Sequence, residues 1–225
     1  MAAGAGPEGH RDSLPALVYS ADSAIAALVL AHGAGAGQHS AFMVGIASDI
    51  AALGVDVVTF DFPYVAAKRK IPDRGPVLEA AYRAVIETVR REIASAHAWL
   101  LIGGKSMGGR IATQVAAADR GLPITGLILL GYPLHPPGRP DTLRAAHLPA
   151  IGRPMLFVQG SRDTFGRPDE LAPILAPLVP PPTLHTVEGG DHSLKLARRD
   201  PKLQAAAHDD VLKTIAGWIQ TVVAT

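Results

Sequence analysis

The chain has 225 residues, 48% of them hydrophobic, and its formal net charge is +1 at pH 7. This length can bury one sizeable core, and the balance of charges argues against disorder and against a dedicated nucleic-acid binder. The chain has no cysteine, which excludes disulfides, thiolate catalysis and Cys-ligated metals and fits a reducing compartment.

The N-terminal residues lack the basic start and apolar core of a signal peptide, so we expect residues 1–13 to form a flexible tail. Residues 14–225 are expected to form a single domain, because no repeat, linker or low-complexity block divides them. No apolar stretch reaches the length of a membrane span. We therefore expect a cytoplasmic protein with neither a membrane nor a nucleic-acid partner.

Short apolar runs alternate with longer helix-forming segments, which predicts a mainly parallel, doubly wound α/β sheet with helices on both faces. A leading antiparallel strand is predicted at 17–19, followed by strands at 25–31, 55–61, 99–103, 126–131, 155–159 and 184–187. Helices are predicted at 41–53, 77–96, 110–118, 169–178 and 209–223. The Pro-rich loop 133–149 is too short for a separate lid domain, so we expect an open mouth to any site near it.

The third of the main strands runs into Gly104-Lys105-Ser106-Met107-Gly108, and a good helix-forming segment follows. Strand, sharp turn and helix is the context that a nucleophile elbow requires. The two glycines leave room for neighbouring backbone, and the helix directs its positive end at the serine. The pattern predicts that Ser106 is a nucleophile.

Two other glycine motifs in the sequence match known patterns only in part. Gly-Lys-Ser also ends a phosphate-binding P-loop, but the required upstream glycine is replaced by Trp99. Gly33-x-Gly35-x-x-Gln38 approximates a dinucleotide fingerprint, but the third glycine is missing. We therefore predict neither a cofactor nor a metal.

A serine nucleophile needs a base and a carboxylate that orients the base. Asp163 follows the predicted strand at 155–159 and His192 follows the one at 184–187, in the order serine, acid, histidine that is typical of α/β-hydrolases. All three fall at the carboxyl ends of strands, which meet at one edge of a parallel sheet. The alternatives are less suitable, because Asp61 precedes the serine and Asp191 is adjacent to the histidine; Asp163 could also serve only as a turn residue.

The loop after the first main strand contains His32-Gly33-Ala34-Gly35 and suits an oxyanion loop. The amides of Ala34 and Met107 are the predicted donors to a developing oxyanion. His32, Tyr64 and Tyr132 lie near strand ends and are possible substrate-lining residues. Arg74, in a basic cluster with residues 68–70, is a candidate for binding an anionic part of a substrate.

The motifs at 32–35, 104–110, 160–163 and 190–195 together resemble those of the small, lidless α/β-hydrolases related to dienelactone hydrolase. They resemble in particular the subgroup that includes the hydrolase-like subunit of the non-specific-lethal chromatin complex. The resemblance covers about residues 14–223 and implies an α/β-hydrolase fold without a separate lid domain. Dienelactone hydrolase uses a cysteine nucleophile, whereas this chain has Ser106 and no cysteine, which favours a serine esterase or thioesterase.

The predicted activity is hydrolysis of a small ester or thioester through an acyl-enzyme, with a small-molecule acyl compound as substrate. Some members of the subgroup look like interaction scaffolds, so a non-catalytic interaction module that retains the fold is the alternative. A separation of Ser106 and His192 beyond hydrogen-bond range would favour that alternative.

Overall fold

The computed structural model describes residues 14–197 and 200–224, which contain a seven-stranded sheet in the order β1-β3-β2-β4-β5-β6-β7. Strand β1 pairs antiparallel with β3, and the other pairs are parallel. The strands are β1 Ala16–Tyr19, β2 Ala26–Ala31, β3 Val55–Phe60, β4 Leu100–Lys105, β5 Gly126–Leu130, β6 Met155–Gly160 and β7 Thr183–Val187. The predicted tail at residues 1–13 lies outside the described residues.

Helices cover both faces of this sheet. One core layer lies between the sheet and helices α3, α4 and α5, and the other lies between the sheet and α1 and α6. The helices are α1 Ala41–Ala52, α2 Pro63–Ala66, α3 Gly75–Glu92, α4 Met107–Ala118, α5 Pro168–Leu175 and α6 Pro201–Val223. Two short 3₁₀ turns, Ala94–His97 and Leu148–Ala150, complete the regular structure of the described part.

The four central strands β2, β4, β5 and β6 are buried at every position. Strands covered on both faces are continuous apolar runs rather than alternating ones, which is why the sequence predicted them. The predicted strands agree with the observed ones to within two residues at each end. The predicted α/β-hydrolase arrangement of the sheet is confirmed.

The predicted helix boundaries are less accurate. Helix α6 begins at Pro201 rather than at residue 209, because the Asp200 carboxylate accepts hydrogen bonds from the Lys202 and Leu203 amides and proline occupies the first turn. The segment predicted as one helix over 77–96 ends as α3 at Glu92 and continues as the 3₁₀ turn.

The connection from β5 to β6 contains one 3₁₀ turn, and within the described residues no separate lid is formed there. Among those same residues, no helix is both long enough and apolar enough to cross a membrane. The carboxyl ends of β2, β4, β6 and β7 consequently meet at an edge of the sheet that a lid domain does not cover.

Candidate active site

Ser106 occupies a strained turn between β4 and α4, with φ 51° and ψ −116°. A positive φ is uncommon for a residue with a Cβ and is maintained only where the surroundings determine it. Here the Ser106 amide donates to the Leu130 carbonyl at 3.0 Å, and the Arg110 amide donates to the Ser106 carbonyl at 3.0 Å. These two bonds anchor the serine to β5 on one side and to the first turn of α4 on the other.

The glycines on either side of this turn are required by the backbone of β2. A Cβ at Gly104 would lie 2.5 Å from the Ala31 carbonyl oxygen, and one at Gly108 would lie 2.3 Å from the same atom. Neither contact can be relieved by turning a side chain, because the obstacle is main chain. The Gly-x-Ser-x-Gly pattern therefore follows from the close packing of the turn against β2.

The structure brings Ser106, His192 and Asp163 into one hydrogen-bonded chain. The Ser106 Oγ is 2.8 Å from His192 Nε2, and His192 Nδ1 is 2.8 Å from Asp163 Oδ2. A carboxylate that accepts the Nδ1 proton leaves Nε2 free to accept the serine proton. The predicted partners thus lie at the distances that proton transfer requires.

The Asp163 carboxylate is completely buried and held by two further donors. The Gln159 side-chain amide donates to Oδ2 at 2.8 Å, and the Phe165 backbone amide donates to Oδ1 at 2.8 Å. Asp191, the adjacent alternative, instead accepts from the Ser193 and Lys195 amides of its own loop. Asp163 and not Asp191 is therefore the carboxylate that contacts the imidazole.

The loop that carries His192 is held from two sides. The ring of Phe165 stacks on the imidazole with 4.2 Å between centroids, and the Lys105 ammonium donates to the His192 carbonyl. Burial lowers the pKa of Lys105 to about 8, although Asp163 and then Asp191 act in the opposite direction. Lys105 is a positioning residue for this loop, a role that its place in the Gly-Lys-Ser segment did not indicate.

Ala34 and Met107 line the same cavity as Ser106. Met107 is the first residue of α4, where an amide has no acceptor within the helix. Within residues 14–197 and 200–224, neither the Ala34 nor the Met107 amide has a hydrogen-bond acceptor. Both are available to an oxygen atom placed beside the serine.

The side chain of His32 stabilises the loop after β2, which contains Ala34. Its Nε2 accepts from the Phe62 amide at 3.1 Å, so its Nδ1 carries the proton and donates to the Gly33 carbonyl at 2.7 Å. Burial lowers the pKa of His32, against the raising effects of the Gly33 hydrogen bond and of Asp61. The imidazole is therefore neutral and fixes the backbone of the loop.

A cavity of about 660 Å³ opens in front of Ser106. Its walls come from the loop after β2, from the segment that leads into α3, from the first turn of α4 and from the long loop after β5. Basic side chains prevail on its wall, where the described lining residues include three lysine or arginine side chains and one carboxylate. These four are Lys105, Arg110, Arg144 and Asp73.

The four predicted substrate-lining residues, His32, Tyr64, Arg74 and Tyr132, are not among the residues that line this cavity. His32, Tyr64 and Tyr132 are at most 1% exposed. The Tyr64 hydroxyl donates to the Ala34 carbonyl at 3.1 Å, and the Tyr132 hydroxyl donates to the Arg144 carbonyl at 2.7 Å. Both rings therefore support the wall from behind, and burial is the main reason that the pKa of each is raised to about 12.

Arg74 is the N-cap residue of α3 and is exposed. The residues directly before and after it line the cavity, whereas Arg74 itself does not. Arg110 and Arg144 line the cavity instead, and neither was predicted from the sequence. Arg110 could have been found from the sequence, since it directly follows the glycines of the turn and so falls in the first turn of α4 beside the serine. Arg144 belongs to an irregular loop and has no comparable signal.

Within the described ranges, no group of three or more His, Cys, Asp or Glu side chains has an arrangement that could hold a metal ion. The other carboxylate that the sequence analysis considered, Asp61, accepts from the Gln38 amide at 2.8 Å and lies 3.8 Å from His32. It belongs to the support of the loop after β2 and not to the chain that contains Ser106.

The class of protein that this fold and site define is supported by comparison with a known family. Residues 24–220 match the Alpha/beta hydrolase domain family. This match spans most of the chain, so the chain belongs to that family of α/β hydrolases.

Solved structures of several hydrolases have the same fold. A serine hydrolase without a lid from Xanthomonas campestris is 24% identical, with a TM-score of 0.66 and coverage of 89% of each chain. A dienelactone hydrolase from Anabaena variabilis is 17% identical, with a TM-score of 0.71 and coverage of 93% of this chain and 92% of that one. An alpha-beta serine hydrolase homologue from Coxiella burnetii is 16% identical, with a TM-score of 0.70 and coverage of 89% and 91%.

Proposed function

We propose that this α/β hydrolase cleaves a small ester or thioester through an acyl-enzyme formed on Ser106. The observation that carries the proposal is the chain of two 2.8 Å hydrogen bonds from Ser106 through His192 to the buried Asp163. The strained serine lies in the wall of a cavity large enough for a small-molecule substrate.

In the first half of the reaction, the Ser106 Oγ bonds to the carbonyl carbon while its proton passes to His192 Nε2. The Ala34 and Met107 amides stabilise the negative charge on the carbonyl oxygen. Collapse of this intermediate breaks the bond to the leaving group, which takes the proton from the imidazolium. Asp163 orients the imidazole and stabilises its positive charge.

In the second half, a water molecule attacks the acyl-enzyme and gives a proton to His192. The bond between the acyl carbon and Ser106 Oγ then breaks, the acid is released, and the serine recovers its proton. These steps use groups of this chain and water, and they need no cofactor.

The serine at position 106 supports ester or thioester hydrolysis rather than the cysteine-dependent chemistry of dienelactone hydrolase. Membership of the subgroup around the hydrolase-like subunit of the non-specific-lethal complex remains a prediction. A panel of p-nitrophenyl esters and thioesters of graded chain length would separate the two activities. It would also measure the preferred acyl length.

The proposal is tested by labelling with a fluorophosphonate probe and locating the adduct by peptide mass spectrometry. We expect labelling on Ser106 in the folded wild type and none in Ser106→Ala. Ser193→Ala is the matched control, because Ser193 lines the same cavity and labelling should persist without it. Failure of the folded wild type to label, or equal labelling of Ser106→Ala, would overturn the assignment and favour the non-catalytic interaction module.

A further inference from the structure

The cavity in front of Ser106 contains a pair of arginines, Arg110 and Arg144, that the proposed reaction does not use. We call these two residues the arginine pair. Both are half-buried, and both line the cavity that contains Ser106 and His192. Two guanidinium groups that share one cavity wall repel each other unless an anion lies between them.

Arg110 lies on the first turn of α4, directly after the turn that carries Ser106, and its side chain lines the same cavity as the serine. Its Nη1 donates to the neutral Gln114 side chain at 3.1 Å rather than to a carboxylate. Burial has the largest effect on the pKa of Arg110 and lowers it, and the charge of the neighbouring Arg144 lowers it further. Among the groups that raise this pKa, Glu79 has the weakest effect. The charge of Arg110 is therefore not neutralised by a direct ion pair.

Arg144 is held by its backbone and leaves its guanidinium free. Its amide donates to the Leu134 carbonyl at 2.7 Å, and its carbonyl accepts from the Tyr132 hydroxyl. Across the described ranges 14–197 and 200–224, the Arg144 guanidinium has neither an ion-pair nor a hydrogen-bond acceptor. A fixed backbone with an unpaired cationic side chain is suited to binding a ligand.

The one acidic side chain among the described lining residues is outnumbered by three cationic side chains. The Oδ1 atom of Asp73 lies 2.7 Å from Nη1 of Arg69, which is at the other end of the loop that leads into α3. The ammonium of Lys105 adds a further donor on the same wall, although it is engaged by the His192 carbonyl. The described part of the cavity wall is therefore electropositive around the serine.

We infer that the preferred substrate carries a carboxylate, bound by the arginine pair, in addition to the ester or thioester carbonyl that Ser106 attacks. This inference rests on the proposed function and names the substrate class for the same site. Planar guanidinium groups match a carboxylate through two parallel hydrogen bonds. Ser106 and the arginine pair line one cavity of about 660 Å³, so a short spacer between carbonyl and carboxylate is expected.

The first experiment compares p-nitrophenyl hemiglutarate with p-nitrophenyl pentanoate, whose acyl chains have equal length. A second pair carries the charge on the leaving group, as the acetate ester of 3-hydroxybenzoate against 3-methylphenyl acetate. In at least one pair, we expect kcat/KM to favour the charged ester in the wild type. Arg110→Gln and Arg144→Gln should each reduce that preference by about tenfold, mainly through KM, because the anion is bound in the ground state as well.

The controls separate this binding role from a structural one. Arg110→Lys should retain part of the preference, and Arg139→Gln, an exposed arginine on the same loop as Arg144, should change nothing. Thermal melts verify that each variant folds. Equal preference in the wild type and in both glutamine variants, with the neutral esters still hydrolysed, would overturn the inference.

A binding measurement keeps this inference separate from the catalytic proposal. Isothermal titration of glutarate into Ser106→Ala should give heat that is lost in Ser106→Ala/Arg144→Gln. If glutarate binds in this way but Ser106 is not labelled by the fluorophosphonate, the anion site stands and the catalytic proposal fails. If Ser106 is labelled but glutarate binds neither protein, the anion site is overturned alone.

Discussion

The reaction centre and the cavity wall in front of it are built by different means. Around Ser106, His192 and Asp163, main chain packs on main chain: a Cβ at Gly160 would lie 2.3 Å from the Gly190 carbonyl oxygen, much like the contacts at Gly104 and Gly108. On the cavity side, a Cβ at Gly35 would have no atom within 4 Å. Close backbone packing leaves a pattern of glycines in the sequence, whereas a wall made of side chains on loops leaves none.

The largest effect is expected at Asp163. Asp163→Asn should lower kcat by roughly 10³- to 10⁴-fold. The asparagine NH₂ group can donate to Nδ1, which favours the histidine tautomer with its proton on Nε2, and Nε2 can then no longer accept the serine proton. Steady-state kinetics on a neutral ester measure the loss. Asp191→Asn is the matched control, since this side chain accepts only from its own loop, and its kcat should stay within about threefold of the wild type. Equal losses in the two variants would contradict the assignment of the carboxylate.

The next effect concerns the backbone packing itself. Gly108→Ala should lower the free energy of unfolding by about 3 kcal/mol or more, at or above the usual range for overpacking, because its Cβ meets the β2 main chain. Gly45→Ala in helix α1 has open space around its Cβ and should raise the free energy of unfolding by roughly 0.5 to 1 kcal/mol. Denaturant titrations of both variants make the comparison. A mild effect of Gly108→Ala would show that the turn has more room than the distances indicate.

Lys105 joins the two regions and should make the stability depend on pH. Its pKa is about 8 in the folded protein and 10.5 in the unfolded chain, so between these values the unfolded chain binds more protons. The free energy of unfolding of the wild type should therefore rise with pH across this window, by roughly 2 to 3 kcal/mol from this group.

Lys105→Met removes that contribution, and the difference between the two unfolding curves isolates it from other titrating groups. Urea titrations at pH 7.5, 8.5 and 9.5 measure the slopes. Parallel curves for the wild type and Lys105→Met would contradict the proposed burial of the ammonium.

The smallest effect is expected at Arg74, which the sequence placed near the substrate and the structure places outside the cavity. Arg74→Gln should change kcat/KM for neutral and carboxylate-bearing esters by less than about twofold and stability by no more than about 0.5 kcal/mol. The same ester pairs that test Arg110 and Arg144 provide the measurement. A tenfold loss specific to the charged ester would move the anion site to Arg74.

The same contrast explains how much could be predicted from the sequence. The central strands could be predicted because burial on both faces produces unbroken apolar runs, and the residues Ser106, Asp163 and His192 could be predicted because each follows such a strand. The start of α6 was missed because its first turns depend on the Asp200 cap rather than on an apolar stripe.

The cavity wall could not be predicted, because aromatic side chains near a strand end can point either into a cavity or behind it. Tyr64 and Tyr132 lie behind the wall, with their hydroxyls bound to loop carbonyls. The approach of Arg144 to Arg110 depends on the path of the irregular loop after β5, which no local pattern specifies.

The most direct measurement is rapid-quench mass spectrometry with p-nitrophenyl acetate, which detects an acyl-enzyme and locates it on a peptide. The account predicts an acetyl group on Ser106 in the wild type within the first turnover, and none in Ser106→Ala. An acetyl group on another residue, or steady hydrolysis by Ser106→Ala at the wild-type rate, would contradict it.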